Sequence, residues 1–302
     1  MAFLFWLVTA ETLSPLVIPR FRGNLSLQQT LDFVPGPTFR GALAYSLAEA
    51  AKGQGKQIES IFPRFQGDGI QVSPLLPRPG EGGYGLPVPL SAWGCKADKD
   101  HPIVDMLSVK TGSLNACSIC GGLLEPYGTG FMKADHNTLS PIPVLTMAGT
   151  HVEIVDKTGL SREEVLFSLE SVAPEQCFAG FVGFFAPDDE AECWHLINKD
   201  HPETYRTDLI MGIGQGPSRG RGLVKIKVER NEDQDWRDII KSFNGGDFEE
   251  RLNAYNGCND GSKALENLQA WLVPVTLVSN ALLLQGNMTY ATGLSPACFK
   301  TC

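Results

Sequence analysis

Residues 211–225 read MGIGQGPSRGRGLVK, and this glycine-rich stretch decides how the rest of the chain is interpreted. It contains five glycines and two arginines, and it leads into the strand-like run LVKIKV. Glycine loses more conformational freedom on folding than any other residue, so such a density indicates that something must approach the bare backbone. A nucleotide-phosphate loop is disfavoured, because no G-K-[ST] or GxGxxG signature is present and a strand follows the loop instead of a helix.

Two interpretations of this loop remain. A plain hairpin connection is possible, although the loop has more glycine and arginine than a hairpin requires. The alternative is an anion site, because Arg219 and Arg221 can each hold phosphate oxygens in a bidentate fork. Exposed backbone can receive RNA phosphates in the same way. The glycines expected to admit such a ligand are Gly214, Gly216, Gly220 and Gly222.

Charge is distributed unevenly along the 302 residues, which carry a formal net charge of −9. That balance argues against broad, non-specific nucleic-acid binding, for which a basic domain is usual. Residues 215–230 nevertheless contain five basic residues against one acidic residue, whereas residues 229–250 are strongly acidic. The pattern predicts a local RNA site on an acidic, protein-facing body.

The apolar N-terminus is too short to span a bilayer and lacks both a basic flank and a cleavage site. We therefore predict a buried strand over residues 3–9 and a cytoplasmic location. In that reducing compartment the eight cysteines are expected to be reduced. Their spacing therefore indicates either metal ligands or cysteines with no special role.

A zinc site is predicted from the sequence CSICGG at 117–122, because a C-x2-C-G turn directs two sulfurs at one tetrahedral metal. WGCKADKDH upstream offers a second ligand pair, with Asp98 and His136 as substitutes for the histidine. The predicted ligands are Cys95, His101, Cys117 and Cys120. Zinc would organise the irregular, Gly/Pro-rich insertion at 54–143, which otherwise has few apolar residues. Unligated cysteines beside a turn are the alternative.

Periodicity predicts a mixture of helices and strands, which fits an α+β fold better than a parallel βαβ sheet. The most regular helix covers residues 38–52. Strands are expected at 150–155, 177–185 and 223–228, while 161–170 fits either a helix or a strand. Short helices at 236–243 and 248–255 and a strand at 271–284 complete the pattern.

Several motifs occur in a recognisable order, and together they resemble the RAMP superfamily of CRISPR effector proteins. With the zinc-type insertion, the set is most similar to the large RAMP subunit of type III-D complexes, in the Cas-five group. The motifs are LSPLVI (13–18), RFRGN (20–24), VPGPTFRGAL (34–43), the CxxCG turn, THVEIVDKTG (150–159), FAGFVGF (178–184) and IGQGPSRGRGLVKI (213–226). The resemblance implies an RRM-like (ferredoxin-like) domain over 1–230 and a reduced second domain at 231–302.

The resemblance also implies a function. Such a subunit holds the 5′ repeat-derived handle of the CRISPR RNA and anchors the large signalling subunit and the first backbone subunit, in antiviral defence. Such a subunit does not cleave RNA itself. Base pairing between the CRISPR RNA and its target determines the target sequence, and the protein recognises the backbone and shape of the RNA. The expected RNA-binding residues are Arg20, Arg22, Phe39, Arg40, Gly214, Gly216, Arg219, Gly220, Arg221, Gly222 and Lys225.

Three other functions compete with this expectation. A backbone RAMP subunit would cleave target RNA with an acid, for which Asp32 is the candidate. A guide-processing endoribonuclease would use a histidine, His151 or His101. An assembly scaffold would dock its neighbours through the acidic residues 229–250, and its contacts with RNA would be incidental.

Overall fold

The fold is taken from a computed structural model, which describes residues 4–20, 27–56, 69–78, 85–88, 92–106, 116–135, 138–154, 161–199 and 203–231, together with 63, 65 and 90. The predicted second domain and its helices and strand lie outside these residues, apart from residue 231. Arg22 and His136 also lie outside them.

Strands dominate the described chain. They are β1 (Leu4–Thr12), β2 (Leu27–Gln28), β3 (Ile70–Val72), β4 (Leu76–Pro77), β5 (Leu86–Pro87), β6 (Ala92–Cys95), β7 (Val104–Asp105), β8 (Leu124–Pro126), β9 (Phe131–Asp135), β10 (Thr138–Pro141), β11 (Thr146–Ile154), β12 (Ser161–Val172), β13 (Cys177–Phe184), β14 (Arg206–Gly212) and β15 (Leu223–Asn231). The helices are α1 (Gly36–Gly53) and α2 (Pro187–Ile197).

The main sheet has the strand order β14-β15-β1-β13-β3, with β4 also paired to β13. Every pairing in this sheet is antiparallel. Helix α1 follows β1 in sequence, and α2 lies between β13 and β14. Three smaller sheets are β11-β12-β2, β10-β9-β5 and β7-β6-β8. The sheets are mostly antiparallel, with one parallel pair between β12 and β2, and together with α1 and α2 they confirm the predicted α+β class.

One face of the main sheet forms the core with both helices. Alternate residues of a strand point to the same face, which places Trp6 and Val8 of β1 in the core. The Trp6 ring lies 4.6 Å from that of Phe184 and 5.5 Å from that of Trp194 in α2. Helix α1 contributes a buried stripe at helical spacing: Phe39, Leu43, Leu47 and Ala51. The helix predicted at 38–52 is confirmed.

The tight PGP turn that precedes α1 has a packing reason. A Cβ on Gly36 would lie 2.9 Å from the carbonyl oxygen of Val72, so only glycine lets the helix begin against β3. Val34 pairs with Leu75 through two backbone hydrogen bonds, which fixes the entry to the helix.

The other element predictions have mixed outcomes. The predicted strands correspond to β1, β11, β13 and β15, and the undecided segment 161–170 is the strand β12. Helix α2 was not among the predicted elements, because its acidic first turn obscures its short apolar face. Only one side of α2 is apolar, and Cys193, Trp194 and Leu196 are buried there. None of the helices in the described residues has the length and apolar character needed to cross a membrane.

Candidate nucleic-acid interface and metal centre

The glycine-rich loop closes the β14–β15 hairpin. The Ile213 amide donates to the Gly222 carbonyl across its base, at 2.8 Å. Between them the chain makes one short 3₁₀ turn, Pro217–Arg219, which is flanked by Gly216 and Gly220 in the left-handed conformation. The tip of the loop is therefore a compact turn with a defined backbone.

The loop rests on the segment that follows β1. The Gln215 amide donates to the Val17 carbonyl at 2.9 Å, and the Gly222 amide donates to the Pro15 carbonyl at 2.8 Å. A Cβ on Gly214 would lie 2.4 Å from the Val17 oxygen. Gly214 is therefore required by a contact with the protein's own backbone. We expected Gly214 to make room for a ligand, but the group that approaches it is the Val17 carbonyl.

Gly222 is likewise required by a close contact with the protein's own backbone. Its φ is +68°, and a Cβ there would lie 2.0 Å from the Ile213 carbonyl oxygen. Gly216 and Gly220 differ, because a Cβ on either would meet no atom closer than 3.9 Å. Of the glycines expected to admit a ligand, these two have open space beside them.

Most amide groups of the loop are already used. Hydrogen bonds to the chain's own carbonyls occupy the N–H groups of Gln215, Arg219, Gly220, Arg221 and Gly222. The predicted backbone concavity therefore has few amides left for phosphate. Its capacity for anions comes from side chains: Arg219 is exposed and has no side-chain partner among the described residues, and Arg221 is half-buried beside it.

The basic turn predicted at 20–24 begins next to this loop. Val17 accepts from the loop, and the next residue, Ile18, donates its amide to the Thr30 hydroxyl at 3.0 Å. The Arg20 amide then donates to the Gln29 carbonyl at 2.9 Å. Arg20 is exposed and stands three residues beyond the loop contact, so the structure brings Arg20 and the glycine-rich loop, about 200 positions apart in sequence, to one end of the sheet.

The other predicted RNA-binding residues have different surroundings. Phe39 is fully buried in the core, so its ring has no face for a base, and we withdraw it from the interface. Arg40 is half-buried on α1. The Lys225 ammonium lies 2.9 Å from Asp208, and the hydrogen bond that it donates to that carboxylate raises the pKa of Lys225.

The four predicted metal ligands form one cluster. Their ligand atoms all lie within 4.8 Å of one another, although Cys95 and Cys120 are separated by 25 positions. The Cys95 and Cys120 sulfurs are 3.5 Å apart, and the Cys117 sulfur is 3.4 Å from His101 Nδ1. A tetrahedral ion with metal–sulfur bonds of about 2.3 Å holds its sulfurs about 3.8 Å apart. The cluster has the residue types and spacing to hold a metal ion.

The turn at 117–122 sets this geometry. The Cys117 amide donates to the Gly122 carbonyl at 2.7 Å, and the Gly121 amide donates back to the Cys117 carbonyl at 2.8 Å. A disulfide is excluded by the sulfur separation, since a bonded pair lies at about 2.05 Å. His101 Nε2 lies 3.5 Å from Asp98, the orienting carboxylate that metal-bound histidines commonly have.

The pKa values of these groups shift in both directions: that of Cys117 is lowered, which favours the metal-binding thiolate, whereas those of His101 and Cys120 are raised, which opposes it. Backbone hydrogen bonds from Cys120 and Ile119 lower the pKa of Cys117 to about 6. A hydrogen bond with Cys95 raises the pKa of His101. A metal ligand must be a thiolate, so a thiol that ionises near neutral pH is suited to the role. Asp98, a predicted substitute ligand, lies behind His101.

Asp32 lines a cavity of about 460 Å³, which is bounded by Arg20, residues 29–33, residues 129–131, Val144, Thr146 and Glu170. Its carboxylate is half-buried and has no hydrogen bond or ion pair among the described residues. Sequence reasoning singled out Asp32 and Arg20 here but missed their neighbours Phe33, Phe131 and Glu170. Phe33 directly follows Asp32 and was open to notice, whereas Phe131 and Glu170 are brought in only by the fold.

The histidines proposed as bases are not among the described residues that line this cavity. His101 belongs to the cysteine cluster, and the backbone of His151 lies in β11. His195 is exposed on α2.

No family model matches the chain, and no curated protein matches it. Solved structures do resemble it. A chain of the type III-B Cmr-beta complex bound to cognate target RNA is 10% identical, covers 74% of this chain and 96% of its own length, and has a TM-score of 0.41. A chain of a type IV-B CRISPR complex is 12% identical over 76% of this chain and 92% of that one, with a TM-score of 0.37.

The crystal structure of Cmr4 is likewise 12% identical, over 74% of this chain and 98% of that chain, with a TM-score of 0.33. These are distant likenesses in chain course.

Proposed function

We propose that this chain is a RAMP subunit of a type III CRISPR effector, similar to the III-D large RAMP subunit. It holds the 5′ repeat-derived handle of the CRISPR RNA and does not cleave RNA. It contacts the large signalling subunit and the first backbone subunit through other surfaces. In this proposal the main sheet with α1 and α2 is the RRM-like, ferredoxin-like domain. Its support is the strand order β15-β1-β13-β3 with β1 and β13 central, where α1 lies between β1 and β3 in sequence and α2 lies between β13 and β14, the strand that precedes β15.

One observation carries the proposal. The glycine-rich loop is hydrogen-bonded to the 15–17 segment, so that exposed Arg219 and exposed Arg20 stand at the same end of the sheet. Arginine binds phosphate in a planar, bidentate fork, which suits a single-stranded backbone that crosses this edge. The acidic remainder of the protein disfavours RNA elsewhere, which restricts binding to this place.

Binding of a single-stranded repeat RNA by the purified protein, followed by fluorescence anisotropy over a range of salt, tests this proposal. The Arg219→Ala/Arg221→Ala double variant should bind at least about tenfold more weakly, because charge-assisted hydrogen bonds contribute about 1.5–3 kcal/mol each. Its salt dependence should flatten by about 1.4 in slope, the value for two lost contacts with single-stranded phosphates.

The matched control removes two cations elsewhere. Lys52→Ala/Lys56→Ala changes exposed residues at the far end of α1 and leaves net charge equal to that of the test variant. If both double variants bind RNA equally well, the loop is not the RNA site.

We propose further that the ion held by the Cys95, His101, Cys117 and Cys120 cluster is a structural zinc. Three sulfurs and one imidazole suit zinc better than the hard cations calcium and magnesium. All four ligand positions belong to side chains, so no position is open for catalysis. Zinc would fix the turn at 117–122 against the strand that ends at Cys95.

A backbone subunit that cleaves target RNA remains the second candidate, because the Asp32 carboxylate lines a cavity next to the proposed RNA site and has no polar partner in the described part of the chain. Loss of target cleavage on Asp32→Asn, with binding retained, would favour this role over the first.

A further inference from the structure

The cavity beside the basic turn has a composition that simple phosphate binding does not explain. Among the described residues, its walls carry one arginine, Arg20, and two carboxylates, Asp32 and Glu170. The two acids lie against one base, and this balance disfavours the entry of a phosphate. A neutral group with N–H donors fits better, because it offers the hydrogen bonds that carboxylate oxygens accept.

The inner part of the cavity supplies an aromatic wall. The Phe33 and Phe131 rings contact each other with centroids 5.9 Å apart, inclined at 59°. Phe131 is buried and supports Phe33, which is half-buried and keeps one side towards the cavity. An aromatic ring held in this way is a platform on which a planar base stacks.

A bend in the chain places the acid and the ring in the same cavity. In an extended strand, consecutive side chains point to opposite faces, but the backbone bends at Asp32 and Phe33, and both line the cavity. The bend is held on both sides. The Thr30 amide donates to Glu170 at 3.1 Å, and Val34 is hydrogen-bonded to Leu75. The Asp32 carboxylate is thus pre-positioned without any partner among the described residues.

We propose that this cavity takes one unpaired guanine base of single-stranded RNA, stacked on Phe33 and read by Asp32. Guanine alone among the four bases has two adjacent donors on its Watson–Crick edge, N1–H and the 2-amino group, which match the two oxygens of a carboxylate. Adenine and cytosine offer one amino group there, and uracil sets its single N–H between two carbonyl oxygens that a carboxylate repels. Arg20 stands at the rim, where the phosphate of the same nucleotide would lie.

This inference rests on the proposed RNA-binding function, since the loop and the cavity share the segment from Pro15 to Arg20. The volume is consistent with it, because cavities of about 300–1,000 Å³ are usual for small-molecule and cofactor sites. The proposal assigns base selectivity to Asp32 and leaves backbone binding to Arg219 and Arg221.

The test uses the full chain and uridine oligonucleotides of about eight nucleotides with one central guanine, inosine, adenine or cytosine. Fluorescence anisotropy should show guanine binding about tenfold more tightly than adenine, the size of one good bidentate base contact. Inosine lacks the 2-amino group and should fall between them. Asp32→Asn should remove the preference, because a carboxamide offers only one acceptor oxygen.

Two further variants separate base reading from general damage. Glu49→Gln, an exposed carboxylate on α1, should keep the full guanine preference. Phe33→Leu should weaken every oligonucleotide about fivefold or more through lost stacking, while guanine stays preferred. Arg219→Ala/Arg221→Ala should weaken all oligonucleotides equally and leave the ratio between bases unchanged.

The following four results would each contradict the proposed guanine site. Equal affinity for all bases, with binding still dependent on the loop arginines, overturns the guanine site and leaves the proposed function standing. No RNA binding at all overturns both. Guanosine 5′-monophosphate that binds as tightly as the oligonucleotide, without regard to the loop arginines, would assign the cavity to free nucleotides. RNA cut by the wild type but not by Asp32→Asn would make Asp32 a catalytic group.

Discussion

The main sheet and the insertion around the cysteine cluster are stabilised by different means. The sheet layer buries large side chains such as Trp6, Phe178 and Phe184 against two helices. In the described part of the insertion, the apolar cluster is small: Ala92, Ile103 and Met132. A region that buries so little apolar surface needs another source of stability, and four clustered metal-ligating side chains provide one.

The largest effect should come from the cysteine cluster. Cys117→Ser removes one thiolate ligand, and structural zinc contributes on the order of 10 kcal/mol to small domains that depend on it. We expect bound metal, measured by mass spectrometry, to fall from about one ion per chain to near zero, with new protease cleavage between β6 and β8.

The control for this change is Cys177→Ser, a half-buried cysteine outside the cluster. It should retain the metal. Because the main sheet has its own core, it should remain folded in Cys117→Ser after the insertion has unfolded. Unfolding of both regions at the same urea concentration would contradict their independent stabilisation.

The next effect belongs to the sheet. The Glu190 carboxylate is buried, and it accepts hydrogen bonds from the Trp6 indole at 2.6 Å and from Arg230 at 2.7 and 2.6 Å. Glu190→Ala leaves that arginine without its buried partner and should lower the free energy of unfolding by about 3–5 kcal/mol. Urea denaturation followed by tryptophan fluorescence measures this.

Metal content should be unaffected by Glu190→Ala, because the hydrogen bonds of Glu190 join α2 to Trp6 of β1 and Arg230 of β15 and include no residue of the cysteine cluster. Glu49→Ala, an exposed change on α1, should stay within about 0.5 kcal/mol of the wild type. Metal loss in the Glu190 variant would show that the two regions fold as one unit.

A smaller effect distinguishes two glycines in the loop. Gly222→Ala would force a Cβ against the Ile213 carbonyl and should disrupt the loop, lowering both stability and RNA affinity. Gly220→Ala meets only open space and should cost about 1–2 kcal/mol from its left-handed φ of +73°. Equal RNA affinity of the two variants would argue that the loop conformation does not matter for binding.

The smallest effect is expected on the exposed side of the sheet. Asp208→Asn removes the carboxylate 2.9 Å from Lys225, a pair whose side chains are 53% and 36% exposed. Exposed ion pairs contribute about 0–1 kcal/mol, so unfolding by urea should change little. A loss above about 2 kcal/mol would mean that this face is covered in the folded protein.

Much of the candidate site followed from local patterns. The ligand set Cys95, His101, Cys117 and Cys120 was predicted from spacing alone, because a C-x2-C-G turn has few other uses. Helix α1 was predicted from its apolar period. Helix α2 was missed, since its acidic first turn hides a short buried face around Trp194.

Phe39 shows why a motif does not fix the direction of a side chain. It stands inside VPGPTFRG and was expected at the RNA surface, yet the helix register turns it into the core. The loop glycines show the converse. Their density was rightly interpreted as close approach, but at Gly214 and Gly222 the approaching group is the chain's own backbone.

The sequence by itself determined the elements with short-range causes: the turn at 117–122 with its ligand pair, the apolar stripe of α1 and the basic, glycine-rich hairpin. Only the tertiary structure decided which distant pieces meet. In the tertiary structure the loop is hydrogen-bonded to Pro15 and Val17, and Arg230 donates hydrogen bonds to Glu190. Asp32, Phe131 and Glu170 line the same cavity. Local patterns depend on backbone geometry within a few residues, whereas these contacts depend on strand order and register, which no single segment encodes.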